Sequence, residues 1–409
     1  MAELRPLRPG DRQLLVLLSQ HGELGRGQLA QLSGMPRSTI ADAIARLLRH
    51  GLVVEHEAAA GRAASGRRAG VAAAARTGRP PRLLALAPPA GLVGVLALTH
   101  ETLQAGIVGF DGTLHAVQAV GAHDEDGRFV TAGQALVLLD EVLGAAAHTR
   151  ADLSCAVIGL PMPVRPAGEQ RDGETDSAED AAFRPRWLPA RLPEETGERL
   201  GVPAWGENDA NLGALGEGAF GAAVSMPSFI YVKIAQGIGA GLVLDRRLHR
   251  GAGGLAGELA HLHTEDDGAL CRCGGRGCLM TTLNAIRLID RIHSVHPGAL
   301  SMADVLSLAA GGDAGVCRLL RDLGRTLGRS LADFCVYLAP DGIVLDGLLG
   351  QASAPVIEGI SEALRQFAPP AIVARVQVAA GQLDSRAELL GAAVLARRHH
   401  HSQNILPSN

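Results

Sequence analysis

The sequence predicts a chain in two parts, a small winged helix-turn-helix head and a large α/β body. Three observations point there. Residues 37–49 carry an apolar stripe at helical spacing, directly after a shorter helical stretch and a Gly turn. From Gly91 onward, short apolar runs alternate with polar turns and longer helical stretches. Charge is also divided: residues 1–90 hold thirteen Arg and no Lys against six Asp and Glu, a formal +7, which leaves −11 for the remainder although the whole chain carries only −4. That asymmetry suggests a basic head grafted onto an acidic globular body.

A chain of 409 residues with 47% hydrophobic content can build two or three domains with sizeable cores. It has no uninterrupted apolar run of the roughly 18 residues that marks a membrane span, and MAELRPLRPGDRQ lacks the apolar segment of a signal peptide. The expectation is a cytoplasmic protein without a membrane partner. In a reducing compartment the clustered cysteines are free for metal, while Cys155, Cys317 and Cys335 read as core residues.

Within the head, Asp11 to Ser19 reads as a first helix ending near Gly22, and Gln28 to Leu32 as a short second one before the turn at Ser33-Gly34. Pro36 stands where a helix starts. Arg37 to Arg49 follows with Ile40, Ile44, Leu47 and Leu48 on one face and Gly51 as the stop. The second helix of a helix-turn-helix presents its N-terminal residues to base edges. Arg37, Ser38 and Thr39 are therefore the candidate DNA readers, with Asp42 and Arg46 further along. Any short three-helix stretch can mimic this motif, but Leu52–Glu55 forms an apolar strand right after the helix, and Gly78–Leu86 reads as a returning wing strand. The insert between them, about residues 56–78, is rich in Ala, Gly and Arg with no aromatic residue, so it cannot build a core. It reads equally as a solvated linker or as a phosphate-tracking segment through Arg62, Arg67, Arg68 and Arg76.

In the body, residues 91–98, 103–110 and 113–120 are three strand-like runs, the last two joined by Asp111-Gly112. A helix from Thr131 to His148 and a strand at 153–160 follow, then an acidic polar stretch at 166–186 that reads as a surface loop. Glu207-Asn208-Asp209-Ala210-Asn211 opens another helix, where Asn and Asp serve equally well as caps. Asp384 to Arg398 is the last helix. His399-His400-His401 begins a tail expected to be disordered over 399–409, with metal binding by the three histidines as the alternative.

The most specific stretch is GELAHLHTEDDGALCRCGGRGCL, residues 257–279. Cys271, Cys273 and Cys278 fall within eight residues and His261 lies ten before the first. One nitrogen and three sulfurs suit a closed tetrahedral zinc site, and the glycines between the last two thiols allow a tight knuckle. Buried free thiols are the alternative, although they have no reason to crowd into a Gly-rich polar loop.

Gly-Glu-x-x-His followed by Cys-x-Cys-Gly-x-x-Gly-Cys-Leu resembles the signature of the ROK family, bacterial sugar kinases and transcriptional repressors on one fold. The resemblance covers roughly residues 88–398. It implies a two-lobed, actin-like ATPase (ribonuclease H-like) body, and Gly78-Arg79-Pro80 is similar to the wing tripeptide of the family's repressors, which adds Arg79 as a minor-groove candidate. It further implies that Gly159-Leu160-Pro161 lies beside a sugar cleft, that Asn208 binds a sugar hydroxyl, and that Asp209 is the general base of the kinases, here vestigial. Glu258 and His261 join the same cleft, with one His261 nitrogen on zinc and the other toward a ligand hydroxyl. Met280 departs from the pattern, standing where the family has a sugar-binding Glu. The phosphate loop of the kinases falls at Ala97-Leu98-Thr99-His100-Glu101 and has lost its Asp and Gly pair. Gly237-Ile238-Gly239-Ala240-Gly241 keeps the second phosphate loop, and Asp346 stands in the place of an adenosine-contacting Gly.

The resulting expectation is a head at 1–87, a ROK effector body at 88–398 and a tail at 399–409. Its function is repression of sugar-uptake or sugar-metabolism genes, with no catalytic residue in use. Its partners are an inverted-repeat operator DNA and a sugar or sugar-phosphate effector, with a homodimer or tetramer as the acting species. An ATP-dependent, glucokinase-like sugar kinase is the alternative, and a zinc-stapled sugar-binding scaffold without DNA activity a third.

Overall fold

A computed structural model describes residues 7–57, 82–123, 131–165, 183–185, 187–189, 191–235, 237–283, 285–293, 295–298, 301–347 and 353–405. Arg79, most of the wing insert with its four arginines, and most of the 166–186 stretch lie outside the described residues. The chain divides into two compact units: residues up to Ala90 together with those from Ala396 on, and Gly91–Leu395. No helix among the described residues is long and apolar enough to cross a membrane.

The first unit opens with α1 (Pro9–His21), β1 (Leu24–Gly25), α2 (Arg26–Ser33) and α3 (Arg37–Arg49). Pro9 is tolerated in α1 because a first-turn amide has no helical partner. Gly34 closes α2 in the left-handed region, φ 68°, the position where glycine carries no Cβ penalty. Ile40, Ala43, Ile44 and Leu47 of α3 are buried, the i, i+3, i+4, i+7 stripe of an amphipathic helix. They pack on Leu14, Leu15 and Leu29 and on a three-stranded sheet of order β1-β3-β2, with β2 at Val53–Glu57 and β3 at Arg82–Leu86. The helix-turn-helix and its wing strands thus share one core.

The second unit is built on two five-stranded sheets. The first joins β4 (Leu92–Leu98), β5 (Thr102–Gly109), β6 (Leu114–Gly121), β7 (Leu153–Leu160) and β8 (Ala204–Asn208), with α4 (Ala132–Ala145) and α5 (Leu192–Leu200) between. After α6 (Asp209–Phe220), the second joins β9 (Phe229–Ile234), β10 (Ile238–Leu244), β11 (Arg247–His249), then, beyond α7 (Ala285–His293), α8 (Met302–Ala310) and α9 (Ala314–Leu338), β12 (Gly342–Gly347) and, after α10 (Ser353–Phe367), β13 (Gln377–Ala380). The strand orders are β6-β5-β4-β7-β8 and β11-β10-β9-β12-β13. Each is an antiparallel three-strand meander extended by two parallel strands, so one plan is used twice. This duplication is the two-lobed actin-like fold that the resemblance implied.

The last helix, α11 (Ala387–Ile405), crosses α6 with backbone almost touching backbone. A Cβ on Gly216 would lie 2.1 Å from Ala387 O, and one on Gly391 1.8 Å from Leu212 O, so only glycine fits at either place. The helix continues seven residues beyond Arg398, through the stretch expected as a tail. Tertiary contact explains the difference: His401 is buried in the first unit and its Nε2–H donates to Ala87 O at 3.1 Å.

Candidate functional site

The ligand atoms of His261, Cys271, Cys273 and Cys278 all lie within 4.8 Å of one another. Cys273 and Cys278 Sγ are 3.7 Å apart and Cys271 Sγ is 3.5 Å from His261 Nδ1. A tetrahedral ion with bonds of about 2.3 Å sets its ligands about 3.8 Å apart, close to these two separations, so the group could hold a metal ion. The loop closes around it through Cys271 N–H to Gly275 O (2.8 Å) and Gly275 N–H to Cys273 Sγ (3.4 Å). Gly277 turns with φ 64°, and a Cβ there would collide with Glu265 O at 1.7 Å.

Because His261 Nδ1 faces the thiols, Nε2 is left for the other side, where Glu258 Oε2 lies 4.0 Å away. Burial pushes the Glu258 carboxyl up to about 7, helped by the charge of Asp209 and opposed by Arg272. Burial and then Arg272 lower His261. Glu258 therefore senses the charge of Asp209, and Arg272 acts on both Glu258 and His261. Asn208 caps α6, its Oδ1 accepting Asn211 N–H at 3.0 Å, while its Nδ2 donates to Met162 O at 3.1 Å next to Gly159-Leu160-Pro161. The cap reading and the cleft reading of Asn208 are thus compatible. Met280 packs against the core of the second lobe; it offers a thioether where a carboxylate was expected.

Asp209 is not a free carboxylate. Its Oδ1 accepts Ala210 N–H at 2.8 Å, and its Oδ2 accepts from Lys233 Nζ at 2.8 Å. Lys233 also donates to Glu388. Glu207, almost wholly buried, accepts from Arg250 Nε at 2.8 Å and from Asn211 Nδ2 at 3.0 Å, which stiffens the strand that delivers Asn208. Lys233, Glu388 and Arg250 were not among the candidates drawn from the sequence, and Glu207 entered only as part of the run that opens the helix. One signal was available: Lys233 is the only lysine in the chain, against 37 arginines.

The segment expected to be a degenerate phosphate loop is the β4–β5 turn. Ala97 and Leu98 are buried in β4. The Thr99 hydroxyl accepts Glu101 N–H at 3.2 Å and Thr102 N–H at 2.9 Å, so two amides of the turn are already satisfied inside it. His100 Nδ1 accepts the Trp187 indole N–H at 3.1 Å, and burial, followed by Arg272, lowers its pKa. In the second hairpin, a Cβ on Gly241 would lie 2.6 Å from Ala210 O and Ala214 Cβ, and one on Gly239 3.1 Å from Ala210 Cβ. Those glycines let β10 pack on α6. Asp346 is buried and accepts the Tyr231 hydroxyl at 3.1 Å.

In the first unit, Arg37, Ser38 and Thr39 are exposed at the N-terminus of α3. Arg46 is not available in the same way. Its guanidinium makes a two-bond fork with buried Asp11, Nη2 to Oδ1 at 2.6 Å and Nε to Oδ2 at 3.2 Å, tying α3 to α1.

A basic winged helix-turn-helix joined to a duplicated α/β body, with a knuckle of one histidine and three cysteines beside Glu258, defines a known class. The chain belongs to the ROK family, whose model matches residues 143–399; an IclR-type helix-turn-helix domain matches residues 13–57. It is 25% identical over 391 residues to the xylose repressor of Bacillus spizizenii, covering 94% of each chain, and 25% identical over 339 residues to that of Bacillus subtilis, 81% of this chain and 80% of that one. It is also 30% identical over 229 residues to the glucokinase of Streptomyces coelicolor, 52% of this chain and 72% of the enzyme. Among solved structures, a ROK family transcriptional regulator homologous to the E. coli MLC protein shares the fold over 96% of both chains with TM-score 0.68 at 23% identity. A ROK glucokinase from Streptomyces griseus in complex with glucose and AMPPNP matches 75% of this chain and 100% of its own with TM-score 0.62 at 25% identity.

Proposed function

We propose that this chain is a DNA-binding transcriptional repressor that responds to a sugar-type effector held in a ROK cleft and does not phosphorylate it. The observation that carries the reading is the joint presence of the winged helix-turn-helix and of a β4–β5 turn that closes two of its amides on the Thr99 hydroxyl. Phosphoryl transfer depends on positioning and neutralising a nucleotide. A turn already closed on its own hydroxyl, with His100 bonded to Trp187, has two fewer amides to turn toward phosphate oxygens, which supports the non-catalytic reading. The near-full-length similarity to xylose repressors supports the same reading.

Asn208, Asp209, Glu258 and His261 form the effector-recognition set, with carboxylates and amide suited to hydroxyl groups. His261, Cys271, Cys273 and Cys278 hold a structural zinc that fixes the His261 ring for that task. Arg37, Ser38 and Thr39 contact base edges of an inverted-repeat operator read by a homodimer or a tetramer, and Arg79 follows a minor groove. The effector is a sugar or sugar phosphate. The kinase reading is favoured by one observation, the 30% identity to a glucokinase. Both are tested together: duplexes selected by the purified chain from a random pool are assayed for release by a panel of aldoses and their phosphates, alongside ATP turnover with the same sugars. Sugar-dependent release without turnover supports repression; turnover without selective DNA binding supports the kinase.

A further inference from the structure

The interior of the second unit contains one cation shared by two acids from different elements. Lys233, on β9, has a side chain only 8% exposed and contacts Asp209 at the start of α6 and Glu388 in the first turn of α11. Burial by itself would lower the ammonium, but the two carboxylates more than offset it and hold its pKa above that of an ordinary lysine. The second oxygen of Glu388 is buried with no hydrogen-bond partner among the described residues. This is an unequal triad, with a single positive charge divided between two negative ones and one acceptor left unsatisfied.

Such a triad responds to what binds Asp209. Both Asp209 oxygens are in use, so a ligand hydroxyl that donates to this carboxylate shares Oδ2 with Lys233 or competes with the Ala210 amide. In either case the pull of Asp209 on the ammonium weakens, and Glu388 is the other carboxylate within its reach. Glu388 sits where the partial positive charge of a helix N-terminus favours an acid. Its helix runs unbroken from Ala387 to Ile405, with residues up to Leu395 in the body and those from Ala396 in the DNA-binding unit. There His401 donates to Ala87 O, and Ala87 N–H in turn donates to Leu52 O, at the base of the wing strands.

We propose that Lys233 couples the cleft to the C-terminal helix: it is divided between Asp209 and Glu388 when the cleft is empty, shifts toward Glu388 when a ligand engages Asp209, and so alters the anchoring of a helix whose far end belongs to the DNA-binding unit. This inference rests on the reading of the cleft as an effector site and of the head as a DNA binder. Coupling of this kind is reciprocal, so DNA binding at the head must be felt at Lys233 even with no sugar present.

Because Lys233 is the only lysine, the full-length, zinc-loaded chain grown with 13C,15N-lysine reports it as a single side-chain resonance. The test is a titration with a duplex selected by the purified chain from a random pool. The Lys233 signal shifts at saturating duplex, and Glu388→Gln abolishes that shift while changing duplex affinity by less than about fivefold, the lower edge of ordinary coupling. Glu388→Asp, which keeps the charge and shortens its reach, gives a reduced shift and stands in if the Gln variant does not fold. A Lys233 signal unmoved by saturating duplex, or moved equally in both variants and the parent, overturns the coupling. Failure of the parent to select any duplex brings down the DNA-binding reading, and the proposal with it.

Discussion

Lys233 Nζ lies 2.8 Å from Asp209 Oδ2, so the chain's single lysine is placed on a carboxylate of the proposed effector-recognition set. An Asp that already accepts from an ammonium and from a backbone amide is better suited to recognising a hydroxyl than to deprotonating one. Removing the ammonium leaves two buried carboxylates uncompensated, a loss of about 3–5 kcal/mol in comparable buried pairs. Lys233→Met is accordingly expected to lower unfolding stability by that order in denaturant titration. An unchanged midpoint would show that the triad is not formed in solution.

Cleft substitutions separate recognition from catalysis. Leaving a buried hydroxyl short of one partner costs about 1–3 kcal/mol, so Asp209→Asn or Glu258→Gln should weaken the effector response about tenfold or more by that measure. DNA affinity without ligand should barely move. ATP turnover that rises with a sugar and vanishes in Asp209→Asn would contradict the non-catalytic reading. An effector response untouched by either substitution would show that the cleft is not the effector site, with Met280 the first residue to examine.

Metal analysis tests the knuckle. The purified chain is expected to carry one zinc, and Cys273→Ser to lose it and to weaken both effector response and repression, because the site fixes His261 beside Glu258. Stoichiometric zinc retained in a Cys271→Ser/Cys273→Ser double variant would remove the assignment.

Much of this was legible in the sequence where the signal is local. α3 spans Arg37–Arg49 as its apolar stripe, Pro36 and Gly51 indicate, and the strand at 153–160 is equally sharp. The metal-ligand group was legible because its three cysteines lie within a single loop and only His261 stands apart. What escaped depends on distance along the chain. Lys233 and Glu388 are 155 residues apart, and the reach of α11 to Ile405 depends on His401 meeting Ala87. Arg46 shows the same limit. From its helical position it reads as a DNA contact, and only the fold reveals Asp11 against it.

That pair gives a prediction for the head. Asp11→Ala removes the partner of a half-buried guanidinium, so the isolated effect should be loss of head stability and of DNA binding for all sequences alike. Thr39→Ala, at the exposed start of α3, should instead relax sequence preference with little loss of stability. Arg79→Ala should weaken binding broadly. Selection of duplexes by each variant, with thermal melts alongside, distinguishes the three; preserved sequence preference in Thr39→Ala would move the reading surface away from the helix start.

The central claim is that one chain binds DNA and lets a sugar decide how tightly. Fluorescence anisotropy of a labelled, chain-selected duplex, titrated with protein in the presence and absence of each aldose, measures this directly. Salt-sensitive, sequence-selective binding is expected, with an apparent Kd that changes about tenfold or more with at least one sugar or sugar phosphate, within the typical coupling of about 1–3 kcal/mol. Tight selective binding that no sugar or sugar phosphate alters, or no selective binding at all, would contradict it.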